Sequence, residues 1–142
     1  LSVELEQALL TTLRTISGLT SFVADRIYPD HRPQTSYNQA AVEYSIDDLT
    51  TPSDLAGADG SGEAEVSLTF VALDLLDCES MATAVRNAIN GTFGTWGDLQ
   101  VDSVICAGDS DSIEYAEAGA SLETYQITST YSILYQLGDS NG

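Results

Sequence analysis

The chain has 142 residues in which 22 Asp and Glu face four Arg, one His and no Lys, for a formal net charge of −18. That length fits one domain able to bury roughly two thirds of its unfolded surface without disulfides or metal, and 43% hydrophobic residues exclude an acidic disordered tail. The scarcity of cations excludes a specific grip on nucleic acid, which needs clustered Lys and Arg for phosphate, and no apolar run reaches the ~20 residues of a membrane span.

Taken from the start, Leu5, Leu9, Leu10, Leu13 and Ile16 recur at helical spacing behind Ser2 as N-cap, and Gly18 closes the segment, so a first helix is expected over residues 3–17. The opening residues lack the basic flank and apolar stretch of a secretion signal, and a soluble protein not addressed for export is expected. Residues 26–34 then gather two of the four Arg, the only His and two of the three Pro. Tyr28-Pro29 and Arg32-Pro33 hold this stretch as a stiff, extended connector, since proline fixes φ and pushes the preceding residue towards extended geometry. Arg26 and Arg32 are suited to pair with carboxylates of a neighbouring element or of another copy of the chain. The plainer alternative is that they offset repulsion among Asp25, Asp30, Asp47 and Asp48.

Val42, Tyr44 and Ile46 alternate with Glu43, Ser45 and Asp47, which predicts a strand over residues 40–47 with one wet face. Residues 48–62 carry Pro52, Gly57, Gly60 and Gly62 among Asp and Ser and read as a long loop. Val66, Leu68 and Phe70 alternate with Glu65, Ser67 and Thr69, giving a second strand that forms an extended hairpin with the first. Asp74 or Asp77 caps a second helix whose apolar stripe is Cys78, Met81, Val85 and Ile89, ending at Asn90-Gly91. Cys78 and Cys106 are expected as reduced, apolar-set thiols that belong to the core.

A turn-rich passage over residues 91–97 precedes a third strand over residues 100–106, then a second long acidic loop over residues 107–119. The final strand, residues 122–136, has Tyr125, Ile127, Tyr131, Ile133 and Tyr135 on one face and Thr124, Gln126, Thr128, Thr130 and Ser132 on the other. It would extend about 45 Å at ~3.3 Å per residue, so part of it must overhang, bend at a bulge near Ser129, or pair with a neighbouring chain. Residues 137–142 are expected as a flexible C-terminus. The expected fold is α+β: an antiparallel sheet of about four strands with two helices packed on one face, in the order α-β-β-α-β-β, as a single domain.

The ordered series of an amphipathic helix, Arg26-Ile27-Tyr28-Pro29, Pro33-Gln34, Val42-Glu43-Tyr44, Leu55-Ala56-Gly57, the helix near residues 77–90 and Tyr131-Ser132-Ile133-Leu134-Tyr135 resembles the tail-terminator, or tail-completion, proteins of long-tailed bacteriophages. The sequence departs from that family's pattern in having Tyr37-Asn38-Gln39 where an aromatic and proline often precede the first strand, and in its acidity. The resemblance implies a structural virion protein of the tail-neck junction. It implies a ring of about six copies that ends the tail tube, meets the major tail tube protein and the head-neck connector or stopper protein, and leaves a channel for DNA. Catalytic residues, metal and cofactors are not called for. Candidate subunit or partner contacts are Arg26, Tyr28, Arg32, Gln34, Asp54, Asp59, Tyr131 and Tyr135. A head-side neck adaptor or stopper is the alternative within this reading. A carboxylate-based hydrolase is the rival outside it, opposed by His31 as lone imidazole on an exposed connector. A calcium loop is excluded at Asp59-Gly60-Ser61-Gly62-Glu63 and at Asp109-Ser110-Asp111, because neither places ligands, glycine and terminal Glu at the required positions.

Overall fold

Leu5, Leu9 and Leu13 recur every fourth residue and are fully buried, which fixes one face of α1 (Val3–Leu13) on the core. The computed structural model describes residues 3–30, 39–48, 61–97, 99–115 and 123–136. Past Leu13 the backbone tightens into bonds from Thr15 N to Thr12 O and from Ile16 N to Leu13 O, both 3.1 Å, and the Thr15 hydroxyl takes the same Thr12 carbonyl at 2.7 Å. A side chain competing for backbone acceptors in this way ends a helix. Ile16 is extended, and α2 (Ser17–Val23) starts anew behind it.

The single helix expected over residues 3–17 is therefore two helices. Gly18, expected as a stop, lies inside α2 where that helix meets α3 (Leu75–Ile89); a Cβ at Gly18 would sit 2.7 Å from the Cβ of Ala84. Asp74 caps α3 by accepting from Leu76 N at 2.9 Å, and Cys78, Met81, Ala82, Val85 and Ile89 form its buried stripe.

Six strands make one sheet: β1 (Ile27–Pro29), β2 (Ala41–Asp48), β3 (Ser61–Ala72), β4 (Gly94–Trp96), β5 (Leu99–Tyr115) and β6 (Glu123–Gln136), in the spatial order β1-β2-β3-β6-β5-β4. β1 runs parallel to β2, with Ile27 opposite Val42 and Pro29 opposite Tyr44, and every other pairing is antiparallel. The expectation of about four antiparallel strands in the order α-β-β-α-β-β is thus overturned. The described residues form a curled, mixed six-stranded sheet with three helices. Part of the connector is itself an edge strand, placed there by bonds from Val42 N to Arg26 O (3.0 Å) and from Asp30 N to Tyr44 O (2.8 Å).

Two further expectations change together. Residues 107–115 are not loop but the second half of β5, paired with β6 as far as Tyr115 opposite Glu123. With β3 and β5 both long, β6 is held on both sides, from Ser61 opposite Gln136 to Ala72 opposite Tyr125 on one and along β5 on the other. The long final strand neither overhangs nor waits for another chain, and the irregularities lie in β5, between Val101 and Ser103 and between Cys106 and Gly108, not at Ser129. Residues 49–60, most of the expected first loop, and the expected C-terminal tail lie outside the described residues.

The core is continuous between the three helices and one face of the sheet: Leu5, Leu9, Leu19 and Met81 meet Val66, Leu68, Phe70, Val104, Tyr131 and Ile133 in one cluster. The opposite face carries exposed Ser45, Asp47, Glu63 and Glu65 and half-buried Ser67, Thr69, Thr128 and Thr130, with the Thr69 and Thr128 hydroxyls hydrogen-bonded at 2.9 Å across β3 and β6. No described helix covers that face, the usual outcome when helices segregate to one side of a sheet.

Candidate functional site

On α3, Ala82 and Thr83 lie three and four residues from both Glu79 and Arg86, so the four share one face of the helix. That face, with Asp109 of β5 and Ile127 of β6, lines a cleft of about 310 Å³. Asp109 reaches the cleft because of the bulges. Leu99 and Val101 point into the core, the first irregularity passes that role to Val104, and the second passes it back to odd-numbered residues. Gly108, with φ of 155°, supplies the backbone geometry at the second bulge. Asp109 then lies opposite Ser129, on the helix side of the sheet, where its carboxylate forms an ion pair with the Arg86 guanidinium.

Three buried polar atoms at or beside this pair have no hydrogen-bond partner among the described residues: Arg86 Nε, Ser129 Oγ and Tyr131 Oη. Tyr131 and Ser129 are both fully buried. Burial is the main cause that pushes the Tyr131 hydroxyl well above the usual phenol range; Cys106 and Asp109 add to it, and Arg86 opposes it. Leaving a buried hydroxyl unmet costs ~1–3 kcal/mol, so Tyr131→Phe is expected to raise stability by about 1 kcal/mol, read as a higher urea midpoint. A lower midpoint would show that the hydroxyl is engaged.

The neighbouring groups are structural in their arrangement. Cys106 N donates to Asn90 Oδ1 at 2.7 Å, tying the end of α3 to β5. Cys78 is buried, donates to Tyr125 O at 3.2 Å, and has its thiol pushed up to about 11, mainly by burial. Tyr44 donates to Glu6 Oε2 at 2.6 Å; burial first, then the adjacent Glu6 carboxylate, drive its ionisation well above the ordinary range. Both cysteines are free thiols. Among the described residues no three His, Cys, Asp or Glu converge to hold a metal ion, and no helix is long and apolar enough to cross a membrane.

The residues singled out from the sequence are scattered. Arg26 is part-buried and donates from Nε to Ala40 O at 2.8 Å and from Nη2 to Phe22 O at 3.0 Å, stapling the end of α2 to the start of β2 within its own chain. Tyr28 is half-buried on β1. Tyr131 and Tyr135 are 0% and 1% exposed, and their side chains are packed in this chain's own core. Arg32, Gln34, Asp54 and Asp59 lie outside the described residues. The Arg86–Asp109 pair was not among the expected contacts, because Asp109 fell in a segment read as loop. The glycine at 108 within an otherwise strand-like run was the one signal of a bulge.

No protein-family model and no curated protein matches the chain. Among solved structures the chain shares the fold of a chain described as "Virion of native gene transfer agent (GTA) particle", at a TM-score of 0.61 and 10% sequence identity, over 96% of this chain and 100% of the other.

Proposed function

We propose that this chain is a structural subunit of a phage-like virion: a ring of about six copies at the tail-neck junction that ends the tail tube and joins it to the head's connector complex, leaving a channel for DNA. The observation that carries the reading is the fold shared with a chain of a gene transfer agent virion along essentially the full length of both. The ordered motif series from Arg26-Ile27-Tyr28-Pro29 to Tyr131-Ser132-Ile133-Leu134-Tyr135 supports the finer assignment to the tail-terminator role. A net charge of −18 suits a wall past which a phosphate backbone slides without being held.

That charge also makes assembly depend on ionic strength. Copies of an acidic chain repel, and the Debye length falls from ~10 Å at 0.1 M salt to ~3 Å at 1 M. Sedimentation velocity on the purified chain is expected to show monomer at low salt and a ring that accumulates as salt rises. Added tail tubes of the same particle are expected to carry the ring at one end in negative-stain images. A monomer at every salt concentration and bare tube ends would end this reading; rings that attach to the connector and not to tubes would move the protein to the head side.

A further inference from the structure

Among the described residues the two margins of the sheet are closed only in part. β4 covers β5 at residues 99–101 and β1 covers β2 at residues 42–44, three residues each. In an antiparallel ladder successive residues turn their N–H and C=O groups to opposite sides. On β5, Val104 O accepts from Gly91 N and Cys106 N donates to Asn90 Oδ1, both at 2.7 Å, so these residues face away from β6 and the end of α3 covers them. The extra residue at the bulge moves the outward role to Asp109, Asp111, Ile113 and Tyr115. Among the described residues no strand pairs with them on that side. On β2, Val42 N and Tyr44 O face outward to Arg26 O and Asp30 N, which makes Ile46 and Asp48 the next outward positions, past the end of β1.

We infer that the open stretch of β5 in one copy pairs antiparallel with the open stretch of β2 in the next, so that sheets join edge to edge around the ring. The inference rests on the ring reading above. Strand direction supplies the first argument. From β2 through β3 and β6 to β5 each step is antiparallel, so β5 runs opposite to β2. Copies related by rotation about a ring axis keep their direction, and β5 beside the next copy's β2 continues the alternation without a break. Stagger supplies the second. The row of paired residues through Asp48 crosses Ala64, Ile133 and Val104, on the far side of the bulge from Asp109, so the two open stretches are offset along the strands. Closing strands around an axis demands such an offset, because the strands must tilt. Exposed Asp47 near the β2 margin keeps a lone copy from pairing at low salt, the usual protection of an open edge.

The test uses two proline variants of the full chain. Asp111→Pro removes an outward N–H of β5 and Asp48→Pro removes one of β2, and neither takes a donor from the internal ladder. Asp111→Asn and Asp48→Asn drop the same charges and keep the N–H groups. At the salt concentration where the native chain forms rings, each proline variant alone is expected to stay monomeric, with circular dichroism unchanged, and each asparagine variant to assemble. An equimolar mixture of the two proline variants is expected to yield a dimer and nothing larger, because one intact margin of each kind remains. Should Asp111→Pro not fold, Tyr115→Pro at the strand end takes its place. Rings from either proline variant would overturn the edge pairing and leave the ring reading standing. A dimer of Asp48→Pro by itself would show β5 pairing with its own kind and overturn the head-to-tail arrangement. A native chain that never assembles would overturn the ring reading itself.

Discussion

Phe70→Ala is expected to lower the free energy of unfolding by about 3–5 kcal/mol, the loss of transfer energy plus the cavity left behind. Phe70 is 0% exposed in the last third of β3, with Val42 of β2 opposite it on one side and Ile127 of β6 on the other, both buried. The three side chains point to the same face of a continuous sheet, and the ladder on either side prevents the backbone from closing the gap. Against a total stability of ~5–15 kcal/mol for a domain, such a loss brings the chain near the limit of folding. Urea denaturation at fixed protein concentration and salt measures it, with Phe70→Leu as the milder companion that keeps most of the apolar volume. A midpoint shift equivalent to less than ~1 kcal/mol would show that the site collapses, and that the sheet is softer than its pairing implies.

Gly18→Leu is expected to cost about 2–3 kcal/mol, despite adding apolar surface and helix propensity. A Cβ at position 18 lies 2.7 Å from the Cβ of Ala84, an atom fixed to the backbone of α3 and unable to swing aside. α2 and α3 must then separate, and both are anchored: Leu19 and Val23 bury α2, and Met81, Ala82 and Val85 bury α3. The same displacement reaches the cleft lined by Ala82, Thr83 and Arg86, so the substitution is also expected to loosen the contact between Arg86 and Asp109. A chain as stable as the native one in urea would mean that the helices part at no cost, contrary to the tight approach at Gly18.

Gly18 also shows where reading along the chain misleads. A glycine after a run of helical leucines has the signature of a stop, and its actual role depends on a residue 66 positions later, Ala84, that brings two helices into contact. The same holds at β5. Leu99 and Val101, then Val104, then Asp109 take the inward positions in turn, so two bulges break the alternation that marks a strand. The segment looked like a short strand followed by an acidic loop. Cutting β5 at residue 106 had a second consequence: β6 was correctly read as unusually long, yet it was left without a partner for half its length, and the overhang seemed to call for another chain. The Arg86–Asp109 pair was lost for the same reason, since its acid lay in the supposed loop.

What these residues determine by themselves is amphipathic patterning and charge: the leucine face of α1, the stripe from Cys78 to Ile89, the two-residue alternation of β2, β3 and β6, and a net charge of −18. Each is a local property, set by helical or strand geometry acting on neighbours in the chain. Tertiary structure decided the parallel placement of Ile27–Pro29, the full reach of β5 and the occupancy of both sides of β6. Those features depend on hydrogen bonds between segments far apart in sequence, and a backbone donor carries no mark of which distant acceptor it will meet.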